Sequence, residues 1–84
     1  HAIIYPALGL AGEAGEVANK VKKIIRDGKM DKAAIAAEVG DCLWYIAALC
    51  RDLGIDMGDV AKGNLDKLYD RKQNGTLQGS GDKR

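Results

Sequence analysis

Residues 33–50 read AAIAAEVGDCLWYIAALC, and Glu38 and Asp41 carry the only charges in that stretch. It is apolar nearly all round, the pattern of a helix buried on several sides. Burying a carboxylate without a partner is very costly. Two carboxylates three residues apart share a helix face and repel each other. Such a pair persists only where a cation sits between the acids or where the face opens to water. Asp31 stands where an N-cap is needed and Gly54 where a left-handed stop is needed. The helix is therefore predicted to begin after Asp31 and to run to about Leu53.

Upstream, Leu10, Ala14, Val17, Val21, Ile24 and Ile25 recur with helical spacing. They predict an apolar stripe on a first helix from about Ala7 to Arg26. Pro6 suits the first turn of that helix, and Asp27-Gly28 ends it. A second acidic pair, Glu13 and Glu16, lies on this helix, with Glu13 about 40° from Val17 around the axis. The short connection through Gly28 makes the two helices antiparallel neighbours, so the two acidic pairs can face each other. Four oxygen donors without His or Cys favour a hard cation, Mg²⁺ first and Mn²⁺ second. The competing reading is a solvated face on which Glu16 pairs with Lys20 at i,i+4.

Downstream, Asp56 caps a third helix, with Asp59 completing an imperfect capping box. Met57, Val60, Ala61, Leu65 and Leu68 form its apolar side, and the pattern fades by Lys72. Asn64 falls inside that stripe, with Lys67 and Arg71 at i+3 and i+7. Cations beside an acidic metal site suit polyphosphate. Equally, Lys67 and Arg71 can be surface residues paired with Asp66 or Asp70. Residues 73–84, QNGTLQGSGDKR, are Gly-rich and polar and are expected to form a flexible tail behind a helical domain of residues 1–72. Within that tail, Gly79 to Asp82 has the composition of an anion-binding nest, though a flexible tail is the better reading.

The chain has 84 residues, enough for one domain. A domain of this size buries only roughly 60% of the surface its unfolded chain exposes. With no Phe and one Trp, its core rests on Ala, Val, Ile and Leu. A core so thin is expected to be completed into a bundle by another copy of the chain. Lys and Arg number 13 against 12 Asp and Glu, a balance without a nucleic-acid footprint. The crowded cations Lys20, Lys22, Lys23 and Arg26 read as a solvated helix face. Cys42 and Cys50, about 12 Å apart along one helix, cannot bridge and read as reduced core residues. No secretory signal is visible, and the uncharged run from Cys42 to Cys50 is too short to span a bilayer. A cytoplasmic protein that acts on no membrane is expected. The chain opens with His1 in place of Met, which suggests a trimmed start. Trp44 and Tyr45 read as core or subunit-interface aromatics before they read as base-stacking platforms.

The run GLAGEAGEVANKVKK (Gly9 to Lys23), followed by EVGDCLWYIAAL (Glu38 to Leu49), resembles the MazG-like nucleotide pyrophosphohydrolases. Glu13, Glu16, Glu38 and Asp41 occupy the family's E-x-x-E and E-x-x-D positions. NLDKLYDRK (Asn64 to Lys72) resembles its third-helix motif, with Asn64, Lys67 and Arg71 at the polar places, and GTLQGSGDKR resembles the tail of one subgroup. The resemblance implies an all-α fold assembled as a homodimer or homotetramer. It implies that the four acids hold Mg²⁺ against a nucleoside triphosphate, which is hydrolysed to monophosphate and pyrophosphate as nucleotide-pool housecleaning. Lys20, Lys67 and Arg71 would then balance phosphate charge, and Asn64 would hold the sugar or a phosphate oxygen. Members usually carry a further helix ahead of this segment, where His1 to Leu8 stand here. A phosphoribosyl-ATP pyrophosphohydrolase and a non-enzymatic helical module are the alternatives. A di-iron bundle needs E-x-x-H pairs, and His1 is the only histidine.

Overall fold

The computed structural model describes residues 2–74. They form three helices, α1 (Ile4–Asp27), α2 (Lys32–Leu53) and α3 (Met57–Gln73). No strand occurs among the described residues. The protein is all-α, as its periodicity predicts.

The caps are the ones the sequence offers. Gly28 adopts φ 72°, and its N–H donates to the Ile24 carbonyl at 2.7 Å. The Asp31 carboxylate accepts from the Ala34 N–H at 3.0 Å and opens α2. Gly54, at φ 71°, closes that helix. The Asp56 carboxylate accepts from the Asp59 N–H at 2.9 Å and opens α3. α1 starts at Ile4 instead of about Ala7. Pro6 is its third residue, where an amide would have no intrahelical acceptor anyway, so the helix continues through it at little cost.

The chain divides into two compact units, His1–Gly54 and Ile55–Arg84. In the first, α1 packs against α2 as an antiparallel hairpin. The half-buried residues Leu10, Glu13, Val17, Lys20 and Ile24 of α1 alternate three and four apart. Ile35, Glu38, Cys42, Tyr45, Leu49 and Asp52 do the same on α2. A period of 3.5 is the seam of two helices packed side by side. Acids therefore occupy seam positions at Glu13 and Glu38, where apolar residues would be the norm.

The seam is narrower than the stripe read from the sequence. Ile25 belongs to that stripe by spacing, yet it is 89% exposed, because the contact follows Leu10, Val17 and Ile24 along one line. Pro6, Ala48 and Cys50 are the buried residues among those described. Cys42 is only half-buried, and both thiols are free. By length and composition alone, α2 is long and apolar enough to cross a membrane. Carboxylates near its middle would be costly in lipid, and they lie on the seam side toward α1.

In the second unit, α3 runs to Gln73, and the Asn74 N–H donates to the Asp70 carbonyl at 3.0 Å. Lys62 pairs with Asp66 at 2.7 Å, one turn away. Leu68 and Arg71 are half-buried, whereas Leu65 and Tyr69 are exposed. The expected tail beyond Asn74, with the Gly79–Asp82 stretch, lies outside the described residues.

Candidate metal centre

Antiparallel packing brings Glu13 of α1 to the same level as Glu38 and Asp41 of α2. Each of the three offers one carboxylate oxygen, and these oxygens lie within 4.8 Å of one another. Glu13 and Glu38 are half-buried at the seam, and Asp41 stands at its exposed rim. Spacing of three residues on α2 places Glu38 and Asp41 one above the other. The ion pairs Arg26–Asp27, Arg51–Asp52 and Lys62–Asp66 lie elsewhere.

The crowding shows in the titration of Glu13. Partial burial, then the negative charges of Asp41, Glu38 and Glu16, hold its carboxyl above the usual carboxylate range. A hydrogen bond with Asp41 adds to the rise. The same repulsion that raises the affinity of Glu13 for a proton is what a bound cation would offset. Oxygen-only donors at this separation fit a hard divalent ion, whose bonds of roughly 2.0–2.6 Å bridge about 4–5 Å.

Glu16 lies outside this trio. It is exposed one turn along α1, and its carboxylate accepts from Asn19 Nδ2 at 3.3 Å. Lys20, a seam residue, lines a different cleft of about 490 Å³ near the hairpin turn, together with Lys23, Lys29 and Lys32. Asn64, Lys67 and Arg71 all lie on α3 in the second unit, and Arg71 is half-buried there.

Two aromatic residues complete the surroundings. Trp44 and Tyr45 line a cavity of about 350 Å³ with Glu13 and Asp41. Tyr45 lies so close to α1 that a Cβ at Gly9 would stand 2.6 Å from its ring carbons Cδ1 and Cζ. Only glycine admits the ring at that point. The Tyr5 ring flanks Tyr45 at 6.2 Å between centroids, and Trp44 meets it edge to face at 5.1 Å. A hydrogen bond with Tyr5 is the largest influence raising the Tyr45 hydroxyl above its ordinary value; the charges of Glu13 and Asp41 act in the same direction. The sequence reading placed these aromatics in a core or an interface. Tyr45 does lie on the seam, and both aromatics follow Asp41 by one turn, at three and four residues.

Fold and site define a class: all-α proteins in which a helical hairpin gathers acids from both of its helices around one point. Within that class, residues 6–76 match the model of the MazG nucleotide pyrophosphohydrolase domain, and the chain belongs to this family. It is also similar to the Gene 37 protein of Mycobacterium phage L5, with 47% identity over 85 residues, covering 95% of this chain and 75% of that protein. No solved structure matches the chain.

Proposed function

We propose that the protein hydrolyses (deoxy)nucleoside triphosphates to monophosphate and pyrophosphate with Mg²⁺, as cytoplasmic housecleaning of the nucleotide pool. The observation that carries this reading is the convergence of Glu13, Glu38 and Asp41 from two helices, in a chain of the MazG family. These three carboxylates would hold the ion, with Mn²⁺ as a substitute. Bound there, Mg²⁺ would supply Lewis-acid polarisation of the triphosphate. Glu16, one turn away and outside the trio, is left to orient the attacking water and take its proton. Water adds to phosphorus as the bond between the α and β phosphoryl groups breaks, and pyrophosphate leaves. Lys20, Lys67 and Arg71 are the cations proposed to offset its charge, with Asn64 holding the sugar or a phosphate oxygen.

The same reading includes self-assembly into a homodimer or homotetramer. Its support is the apolar surface that one copy leaves open: Tyr5, Leu8, Ile25, Leu43 and Leu53 are all exposed. Exposed apolar side chains in this number are what a second copy of the chain would cover.

The deciding experiment is a pyrophosphate-release assay with Mg²⁺ across standard, deoxy and modified triphosphates. Turnover is expected for at least one nucleotide class and none with Glu38→Gln, whose helical content should match the parent. A Glu38→Gln protein that releases pyrophosphate at the parental rate would overturn the assignment.

A further inference from the structure

We propose that Trp44 is the base-binding residue of this site, its indole stacking on the nucleobase of a nucleotide whose phosphates lie at Glu13, Glu38 and Asp41. The inference rests on the nucleotide reading above and adds to it a specificity-determining contact. Three features of the hairpin support it.

Trp44 is an exposed indole where exposure is expensive. It stands 61% accessible, one turn beyond Asp41, and it lines the same cavity as Glu13 and Asp41. Leaving so large an aromatic surface in water forfeits the burial that Trp ordinarily provides. Its contact with Tyr45 is edge to face, with an interplanar angle of 88°. The two rings therefore do not stack, and at least one face of the indole stays open. Tyr45 is held in turn by the close approach to Gly9 and by the Tyr5 ring. An exposed ring beside a neighbour held in place is pre-organised to receive a planar partner.

The cavity, at about 350 Å³, joins this platform to the acids. A nucleoside triphosphate combines the two things the cavity offers: a polyanion for a metal held by carboxylates, and a flat ring for an indole. Stacking is tolerant of base identity, because every base has a π-face. The site is accordingly expected to accept more than one base, ranked by stacking strength.

Trp44 is the only tryptophan in the chain, so its emission reports on this contact directly. The 84-residue chain is titrated with the α,β-methylene analogues of ATP and dTTP, and with inorganic tripolyphosphate, each in Mg²⁺. Both nucleotide analogues should quench the emission, whereas tripolyphosphate should bind with little change. Trp44→Ala should raise KM by about 5- to 100-fold, the range of one lost base stack, with a much smaller fall in kcat. Trp44→Phe should restore most of the loss. Equal emission changes with nucleotide and with tripolyphosphate would overturn the proposal, as would an unaltered KM in Trp44→Ala. A blue-shifted emission indifferent to nucleotide, with a smaller assembly in Trp44→Ala, would assign the indole to a subunit contact and overturn it too. Should Trp44→Ala fail to fold, the titration and Trp44→Phe decide. Parental pyrophosphate release with no base-dependent quenching removes Trp44 alone; absent release with every triphosphate removes the nucleotide reading itself.

Discussion

Gly9 is the position at which the packing of the site meets the packing of the fold, and Gly9→Ala tests both. A Cβ there would lie 2.6 Å from Cδ1 and Cζ of Tyr45. Cε1 would be closer still, and carbon atoms in ordinary contact stand about 3.5–4.0 Å apart, so the ring must retreat by more than ~1 Å. A phenol ring moves as a rigid body, and Tyr5 and Trp44 both adjoin it. Overpacking of this kind costs about 1–3 kcal/mol. Against it stands the helix preference of Ala over Gly, about 0.8–1 kcal/mol. Gly12 and Gly15 lie on the same helix with open space where a Cβ would go, and they isolate that preference. Gly12→Ala and Gly15→Ala should therefore gain up to about 1 kcal/mol. Gly9→Ala should fall below them by about 1–3 kcal/mol. In a domain of this size each kcal/mol moves Tm by roughly 4–8 °C. Urea and thermal melts followed by far-UV circular dichroism measure all three variants. If Gly9→Ala gained as much stability as Gly12→Ala, the close approach of Tyr45 to α1 would be wrong, and the pre-organised aromatic wall with it.

Four further outcomes follow from the acids and the caps. Glu13 has a raised folded-state pKa, so the folded apo chain holds this proton more tightly than the unfolded chain. Its contribution favours folding below the ordinary carboxylate value and is lost as pH rises through the raised one; Glu13→Gln should flatten that part of a pH–stability curve measured in chelator, and an unchanged curve would contradict the crowding. Because the ion competes with the same proton, Mg²⁺ affinity by calorimetry should rise with pH through that window, and a flat or falling profile would remove Glu13 from the ligands. Mg²⁺ at 100 times its dissociation constant should add about 2.7 kcal/mol, roughly 10–20 °C in Tm, all of it reversed by EDTA and most of it absent in Glu38→Gln. Asp31→Ala deletes the cap on α2 and should cost about 1 kcal/mol in urea melts, an effect that a side chain not engaged with the Ala34 N–H would not show.

Much of this protein was legible in the chain itself, because its helix boundaries are set locally. Asp31, Asp56, Gly28 and Gly54 act on backbone groups within four residues of themselves, and a reader of the sequence sees every atom involved. The acids Glu38 and Asp41 were legible for a similar reason: charge in an otherwise apolar helix demands a partner whatever the fold. What the chain could not declare depends on which residues meet across the hairpin. Glu13 lies nearer the apolar stripe than Glu16 by spacing, but that only one of the two acids joins the trio is decided by the seam, which takes Glu13 in and leaves Glu16 at the surface beside Asn19. Ile25 looks like core and faces water, because a contact between two helices follows a 3.5-residue line that passes through Ile24. Lys20 shares that line but comes to rest at the turn-end cleft. Gly9 and Tyr45 stand far apart in the chain, and nothing local marks one as the space for the other. Periodicity and caps are properties of one helix at a time and can be read in one dimension. Register between two helices is a property of the pair, and only tertiary packing decides it.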